Sequence, residues 1–478
     1  MQPLTPSWRE TLAQRWPLWL ACVLAAPLLV NRLAPAFLDA DTVLLALMST
    51  QKVTLFYWGQ DRYANVLPLL LSPVWDVACN LAAHLWLDAA AWLLLLEAVS
   101  DLALQLTGQP PTRARRVRLF AMLVAVPLLV LRPFALYQFA VAGQPYALSF
   151  CLLLLAGALW RRRARVACAL VLVAALGINP SLVLTVPALM AFQAWRGQAR
   201  AWLGFAALVG LAFGLWTVLS RTYPLHSPSS YLELAPRGFV SALLVSVADI
   251  RNHAIFPRNF IGLSLLAALL WWRLPVPPVP RALAVAVVLA MTVGFVMWLF
   301  FLTNRWVQDN NAVFRYFMPL LMAPLLALAV ALARVADGVP RLRSGLACVC
   351  LAVFLLFALR PPRPFADYHA FAAAAPTVQL VQEHHVRYLA GDYWTVWPAI
   401  FTLQRAGTPP FGAFSRGIAL QAEIVAALAA DRAAGRTPTV LCVHKPVPTC
   451  QEQLRKVTGL EWPRVEPLPQ AEFALLRL

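Results

Sequence analysis

The sequence predicts an all-α polytopic membrane protein of about eleven spans, with a small α/β domain at its C-terminal end outside the membrane. Three observations lead there. Of its 478 residues, 61% are hydrophobic and 13% charged, and the mean hydropathy is +0.68. Soluble domains average about 45–50% apolar and about 25% charged, so that composition excludes a soluble globular chain. Apolar runs of roughly 16–22 residues recur from Trp16 to Leu359, the length that crosses about 30 Å of hydrocarbon. Finally, the arginines gather in alternate loops between those runs.

In chain order the spans fall near 16–31, 78–104, 118–135, 145–160, 166–178, 181–195, 202–219, 259–272, 282–302, 316–333 and 345–360. Lys and Arg in short loops stay on the cytoplasmic side. The loops carrying Arg113/Arg115/Arg116/Arg118, Arg161/Arg162/Arg163/Arg165, Arg196/Arg200, Arg273/Arg281 and Arg334/Arg341/Arg343 are therefore cytoplasmic, as is the N-terminus with Arg9 and Arg15. An odd number of spans then places the tail outside. The net charge of +18 marks topology beside an anionic leaflet and not nucleic-acid binding. No small-residue cleavage site follows the first span, so it reads as a retained anchor.

The chain divides into a membrane body, 1–360, and a tail, 361–478, at Arg360-Pro361-Pro362-Arg363-Pro364, which cannot continue a helix. Within the tail, Pro376–Tyr388 and Ile418–Ala434 read as helices, Thr439–Val443 and Phe473–Leu476 as strands, and Gln451–Val457 as helical. Six of the eight cysteines lie in or beside spans, where free Cys behaves as a small hydrophobe. Cys442 and Cys450 lie in the outward tail, where an oxidising compartment lets such a pair bridge around His444-Lys445-Pro446-Val447-Pro448. No CxxC, HExxH or clustered His/Cys spacing marks a zinc site.

Chemistry concentrates in the outward loops 32–77, 220–258 and 303–315. Asp39 and Asp41 stand where the first span ends, and carboxylates beside lipid are costly to keep. A carboxylate there suits a general base, and a pair at i and i+2 suits a divalent cation as well. Otherwise they mark only the end of the span. Next comes Phe56-Tyr57-Trp58-Gly59-Gln60-Asp61-Arg62-Tyr63. Tyr57 and Tyr63 offer rings to a sugar face, Gln60 donates and accepts, and Arg62 can grip a phosphate. An interfacial aromatic belt accounts for Tyr57 and Trp58 but not for Gly59, Gln60 and Arg62. Around them, Thr42–Met48 and Leu67–Trp75 read as interfacial helices.

A third cluster runs from Asn304 through Arg305 and Asp309 to Arg315, Tyr316 and Pro319. Outward arginines run against the positive-inside bias. A lipid-linked phosphate accounts for Arg305 and Arg315; a salt bridge with Asp309 or lipid headgroup contact accounts for them equally. Arg132 and Arg258 sit near span ends and can join an anionic site, whereas His226, His253, Arg221 and Arg251 read as loop residues. Glu97 and Asp101 face Arg113–Arg118, and His384 and His385 lie on a surface helix.

Taken together, these motifs resemble the GT-C glycosyltransferase superfamily, which includes protein O-mannosyltransferases and the aminoarabinose transferase of lipid A. The resemblance rests on the acidic motif at Asp39 and Asp41, the Arg315-Tyr316-x-x-Pro319 entry into a late span, and the outward tail. Phe56–Arg62 is similar to a Phe-Tyr-x-Gly-Gln loop, and Asp392-Tyr393-Trp394-Thr395 to a Tyr-Trp motif, of uncharacterised bacterial members. It implies a membrane glycosyltransferase that moves a sugar from a polyprenyl-phosphate donor to a glycan, lipid or protein acceptor at the periplasmic face of a bacterial inner membrane. Asp39 and Asp41 then become the catalytic acids. Arg305 and Arg315 fall where phosphate-binding residues are expected, with Tyr57, Gln60, Arg62, Tyr63, Arg258 and Tyr316 as further substrate-binding candidates. No cofactor is required beyond a divalent cation if the Asp pair holds one. Many members carry adjacent acids, whereas here Ala40 separates them, and Asp39 sits where the first acid falls.

Two other readings compete. A flippase or transporter of lipid-linked sugars wants charges at the midplane and paired broken helices, of which Asn179-Pro180-Ser181 is the one comparable break. An O-antigen polymerase or ligase leaves the acidic pair unexplained. The topology has a direct test. A reporter active only in the periplasm should be active when fused after Leu478 and silent when fused within 107–117; the reverse pattern overturns the orientation.

Overall fold

The computed structural model describes residues 8–58, 64–143, 146–195, 197–223, 233–249, 251, 281–312, 325–326, 328–334, 340–412, 417–470 and 472–478. The expected span 259–272 and most of 316–333 lie outside them, as do Gln60, Arg62, Tyr63, Arg258, Arg315 and Tyr316.

The body is helical. Helix α1 (Trp8–Phe37) contains Pro17, Pro27 and Pro35, which a membrane helix tolerates because its neighbours re-satisfy freed backbone groups. Next come α2 (Ala40–Thr50), α3 (Val66–Leu71), α4 (Val77–Leu106), α5 (Arg113–Val130), α6 (Pro133–Ala140), α7 (Tyr146–Arg161) and α8 (Arg165–Ile178). After a 3₁₀ segment, Pro180–Thr185, the chain runs through α9 (Val186–Trp195), α10 (Ala199–Thr222), α11 (Phe239–Asp249), α12 (Arg281–Leu302) and α13 (Pro340–Ala358). Among the described residues, Ala13–Phe37 and Ala199–Thr222 are long and apolar enough to cross a membrane unbroken. Arg165–Ile178 and Pro180–Ala194 meet at 117°, a break set by Pro180 and by Asn179, whose Oδ1 accepts from Ser181 N and Oγ.

Antiparallel packing of α1 on α4 brings the start of one beside the end of the other. Arg15 there bridges Glu97 at 2.6 Å and Asp101 at 3.4 Å, while Arg116 holds Asp101 at 2.8 Å. The sequence expectation paired both acids with Arg113–Arg118. Only Asp101 pairs so; Glu97 turns to Arg15 because α1, not α5, covers that stripe of α4.

The expected helix over Thr42–Met48 is α2, and it is covered by protein: Thr42 to Ser49 are all buried. Residues 43–48 (Val-Leu-Leu-Ala-Leu-Met) have no polar face to leave in water, and a helix apolar all round is buried. Only α3 divides its faces, burying Leu67 and Leu71 while exposing Leu69 and Leu70, with Trp75 beyond it 88% exposed.

The tail builds a five-stranded sheet, β1 (Tyr388–Gly391), β2 (Phe411–Gly412), β3 (Thr439–Val443), β4 (Arg464–Pro467) and β5 (Phe473–Arg477), in the order β2-β1-β3-β5-β4. Strands β2, β1 and β3 run parallel, and β5 and β4 antiparallel to their neighbours. Helices α14 (His369–Glu383), α15 (Tyr393–Arg405), α16 (Gln421–Ala433) and α17 (Val447–Thr458) flank it. Pro376 lies inside α14 and not at its start, and the chain beyond Glu383 becomes β1, where the sequence suggested helix to Tyr388. The cause is a fully buried strand seat between β2 and β3, a tertiary demand that outweighs local propensity. Cys442 on β3 and Cys450 on α17 form a disulfide with Cα atoms 5.9 Å apart.

Beneath this sheet Asp431 is buried and receives Tyr388 Oη at 2.8 Å, Arg436 Nη2 at 2.7 Å and Arg387 Nη1. Burial alone pushes its carboxyl up, but the hydrogen bonds from Arg436 and Tyr388 and the charges of Arg387 and Arg436 hold it below the ordinary aspartate range. A carboxyl depressed in the fold contributes stability that is full above its unfolded pKa, about 3.9. That stability is lost as pH falls through the folded value. Thermal unfolding of the purified protein should therefore weaken as pH drops below about 4, and Asp431→Asn should flatten that dependence. At neutral pH the same change should cost about 1–3 kcal/mol, the scale of hydrogen bonds to a charged group.

Candidate active site

Helix α1 ends at Phe37 and α2 begins at Ala40, so Asp39 falls at the junction, in extended backbone with φ −120° and ψ 167°. That is N-cap geometry, and Asp is among the preferred caps because its carboxylate accepts an orphan backbone N–H. Asp39 Oδ1 takes Thr42 N at 2.9 Å and Thr42 Oγ1 at 2.7 Å. Thr42 has one hydroxyl hydrogen and gives it to Asp39. Its oxygen must then accept from Tyr137 Oη at 3.1 Å and from Gly143 N at 2.8 Å. Burial, with the charges of Asp39 and Asp41 nearby, holds the α6 residue Tyr137 well above the ordinary phenol range, so it stays a neutral donor. Glycine is required at 143, because a Cβ there would meet Thr42 Cα at 2.7 Å.

Asp41 lies in the first turn of α2 and is held from the other side. Tyr393 Oη, at the start of α15 in the tail, donates to Asp41 Oδ1 at 2.5 Å. Tyr57 Oη donates to the Asp41 carbonyl at 3.2 Å and lies 3.4 Å from Tyr393 Oη. Both carboxylates are half-buried. Two local devices aim Tyr393. Gly391 ends β1 at φ +119°, where a Cβ would strike Val443 O, so only glycine turns the chain there. Asp392 then caps α15 through Thr395 N at 3.1 Å.

The same face of the tail clamps the loop that follows α2. Trp58 and Trp397 rings lie 6.0 Å apart, Gln51 Nε2 donates to Gln404 Oε1 at 2.7 Å, and Gln404 Nε2 donates to Thr50 Oγ1 at 3.0 Å. Lys52 pairs with Glu423 at 2.6 Å and donates to Ala419 O at 3.0 Å. From within, Asn65 Nδ2 ties the loop by donating to Thr54 O at 3.0 Å and Phe56 O at 2.7 Å. Phe56 packs on Trp216 and Tyr223 of the α10 end.

Of the predicted site residues, the fold brings Asp39, Asp41 and Tyr57 together and adds Tyr393, Thr42 and Tyr137. Trp58 is buried core and offers no face to a ligand. Arg305 is exposed at the end of α12, where it pairs with Glu233 at 2.7 Å and with Asp309 at 3.7 Å. Gln60, Arg62, Tyr63, Arg258, Arg315 and Tyr316 lie outside the described residues. Thr42 and Tyr137 carried no sequence signal, since a Thr after an Asp and a Tyr in an apolar helix are both ordinary. Among the described residues no group of three or more His, Cys, Asp or Glu side chains is placed to hold a metal.

The Thr42 hydroxyl is the hub of the buried side of this site. Thr42→Val keeps the shape but strands the Gly143 N–H and the Tyr137 hydroxyl, a loss of about 1–3 kcal/mol. Thr42→Ser keeps the hydroxyl and should cost less than half as much. Thermal unfolding in detergent distinguishes them; equal losses would mean that only the methyl matters.

No family model and no curated protein matches the chain. Its structure is similar to the crystal structure of ArnT from Cupriavidus metallidurans in the apo state. The TM-score is 0.51, the identity 14%, and the match covers 97% of this chain and 98% of that one. A likeness at that identity is one of fold: the chain has an ArnT-like fold, and its helices Ala13–Phe37 and Ala199–Thr222 are long and apolar enough to cross a membrane.

Proposed function

We propose that this protein is a glycosyltransferase of the bacterial inner membrane. It moves a sugar from a polyprenyl-phosphate donor to a glycan, lipid or protein acceptor at the periplasmic face, with its N-terminus cytoplasmic and its tail periplasmic. One observation carries the reading. Two carboxylates at the first outward junction are oriented from opposite sides, Asp39 by Thr42 and Tyr137 and Asp41 by Tyr393 of the tail. A span boundary needs no such arrangement. Preorganised acids in a GT-C-like fold suit acid–base chemistry on a bound hydroxyl.

In the proposed step Asp39 takes the proton of the acceptor hydroxyl. That oxygen forms a bond to the anomeric carbon of the donor as the bond from that carbon to phosphate oxygen breaks. The electron pair leaves with the polyprenyl phosphate, whose charge needs offsetting. We assign that role to Arg62, Arg258, Arg305 and Arg315, and assign sugar contact to Tyr57, Gln60, Tyr63 and Tyr316. Asp41 positions the acceptor. An alternative use of the pair is to hold a divalent cation against the phosphate, which would supply further oxygen ligands.

A transport reading would want a second broken helix. Among the described residues the bent pair around Pro180 is the one found.

The test is transfer from a polyprenyl-phosphate sugar by purified protein, alongside glycan analysis of a deletion strain. Asp39→Asn should reduce transfer about 10²–10⁴-fold, the usual cost of losing a general base, with membrane insertion unchanged. Tyr393→Phe should reduce it less, because it loosens Asp41 without removing a carboxylate. Sensitivity of the wild type to chelator, weakened in both Asp variants, would reassign the pair to a cation. Normal transfer by the Asp39→Asn/Asp41→Asn double variant would refute the reading.

A further inference from the structure

A second feature sits away from the acid pair, where α1, the start of α4 and the linker to the tail converge. A cavity of about 740 Å³ opens there. Its floor is apolar: Pro27 and Val30 of α1, and Ala82, Ala83 and Trp86 of α4. Its rim is cationic. Arg363 from the Pro-rich linker and Arg405 from the end of α15 line it, and both are exposed. Arg32, two residues beyond Val30 on α1 and outside the cavity lining, lies close enough to Arg360 and Arg363 to feel their charge. The Arg32 guanidinium stacks on Phe357 at 5.0 Å, and its buried Nε has no hydrogen-bond partner. Two guanidinium groups thus line the rim, and Arg32 and Arg360 lie near one of them, Arg363. Asp76 lies in electrostatic reach of Arg405 and is engaged as the cap of α4 through Cys79 N at 2.7 Å.

The like charges of Arg32, Arg360 and Arg363 repel one another, a cost that a bound anion would relieve. An apolar slot of this size, within the roughly 300–1,000 Å³ of ligand pockets, with arginines at its mouth, fits an amphiphile. The slot is walled by two membrane helices, so its floor meets acyl chains. Its rim lies where the chain leaves the last span, at headgroup depth. Arginine is the side chain suited to bidentate phosphate contact.

We infer that this groove is a binding site for an anionic glycerophospholipid, with an acyl chain along Val30, Ala82 and Trp86 and its phosphate on Arg363 and Arg405. Because Arg363 and Arg405 belong to the linker and tail while the floor belongs to α1 and α4, the bound lipid braces the tail against the body. This inference does not rest on the glycosyl-transfer reading, and its test involves no transfer.

The experiment uses the full chain in detergent with added phosphatidylglycerol or phosphatidylcholine, read by native mass spectrometry and by thermal unfolding. Phosphatidylglycerol should bind and raise the unfolding temperature, and phosphatidylcholine should do so much less. Arg363→Gln and Arg405→Gln should each weaken phosphatidylglycerol binding about fivefold, the scale for one basic side chain at an anionic lipid surface. Both positions are exposed, so the variants should fold; Trp86→Ala, which shortens the floor, provides a second route to the same loss. Equal stabilisation by the two lipids, or unchanged phosphatidylglycerol binding in the double arginine variant, overturns the proposal. Displacement of the phospholipid by equimolar polyprenyl phosphate would also overturn it, by making the groove a donor subsite.

Discussion

The contact between the tail and the second helix is the constraint on which the rest of the arrangement depends. Residues 43–48 of α2 are apolar throughout and are covered on one side by α4. The other side is closed by α15, and the closure is made at its edge by the Tyr393 hydroxyl on Asp41. Apolar burial supplies the attraction and the hydrogen bond fixes the register. Without the tail, Val43 to Met48 would face solvent or lipid, and the loop that follows α2 would lose Trp397, Gln404 and Glu423 as partners. The soluble part is in this sense a structural wall of the site.

That wall explains how two half-buried carboxylates persist side by side. A half-buried acid is costly unless its oxygens are met by donors. Asp39 is met from the membrane side, by its own helix terminus and by a relay that begins in α6 at Tyr137. Asp41 is met from the tail side. Asp39 caps α2 from extended backbone while Asp41 lies in its first turn, and each answers to a different body of the fold. The same division recurs at the groove near Arg363 and Arg405, where linker and tail supply charge and membrane helices supply apolar surface. Both places lie along the seam between the two parts of the chain.

Much of the architecture was legible in the sequence because it follows from composition and length. Apolar runs bounded by arginines located nine of the thirteen helices α1 to α13 of the body, though not α6 or α11, and Asn179-Pro180 announced the break in the chain. In the tail, β3 and β5 were readable as short β-branched and apolar runs between turn residues. The Cys442 and Cys450 pair was readable from its position. The candidate acids were visible as charges in an expensive place.

The sequence by itself determined what is local: which segments are apolar enough to be helices in a membrane, where they break, and where a helix begins at Asp39. Only the tertiary structure decided what is shared between distant segments. It turned the end of the expected Pro376–Tyr388 helix into β1, because a strand seat between two buried neighbours outweighs local preference. It buried α2 against a helix more than three hundred residues away, which no periodicity within 40–50 could reveal. It made Gly143 and Gly391 indispensable through close approaches to Thr42 and Val443. And it chose Tyr393 and Tyr137, out of ten tyrosines, as the donors that hold the acidic pair. A hydrogen bond depends on distance in space, and distance in space is a property of the folded chain alone.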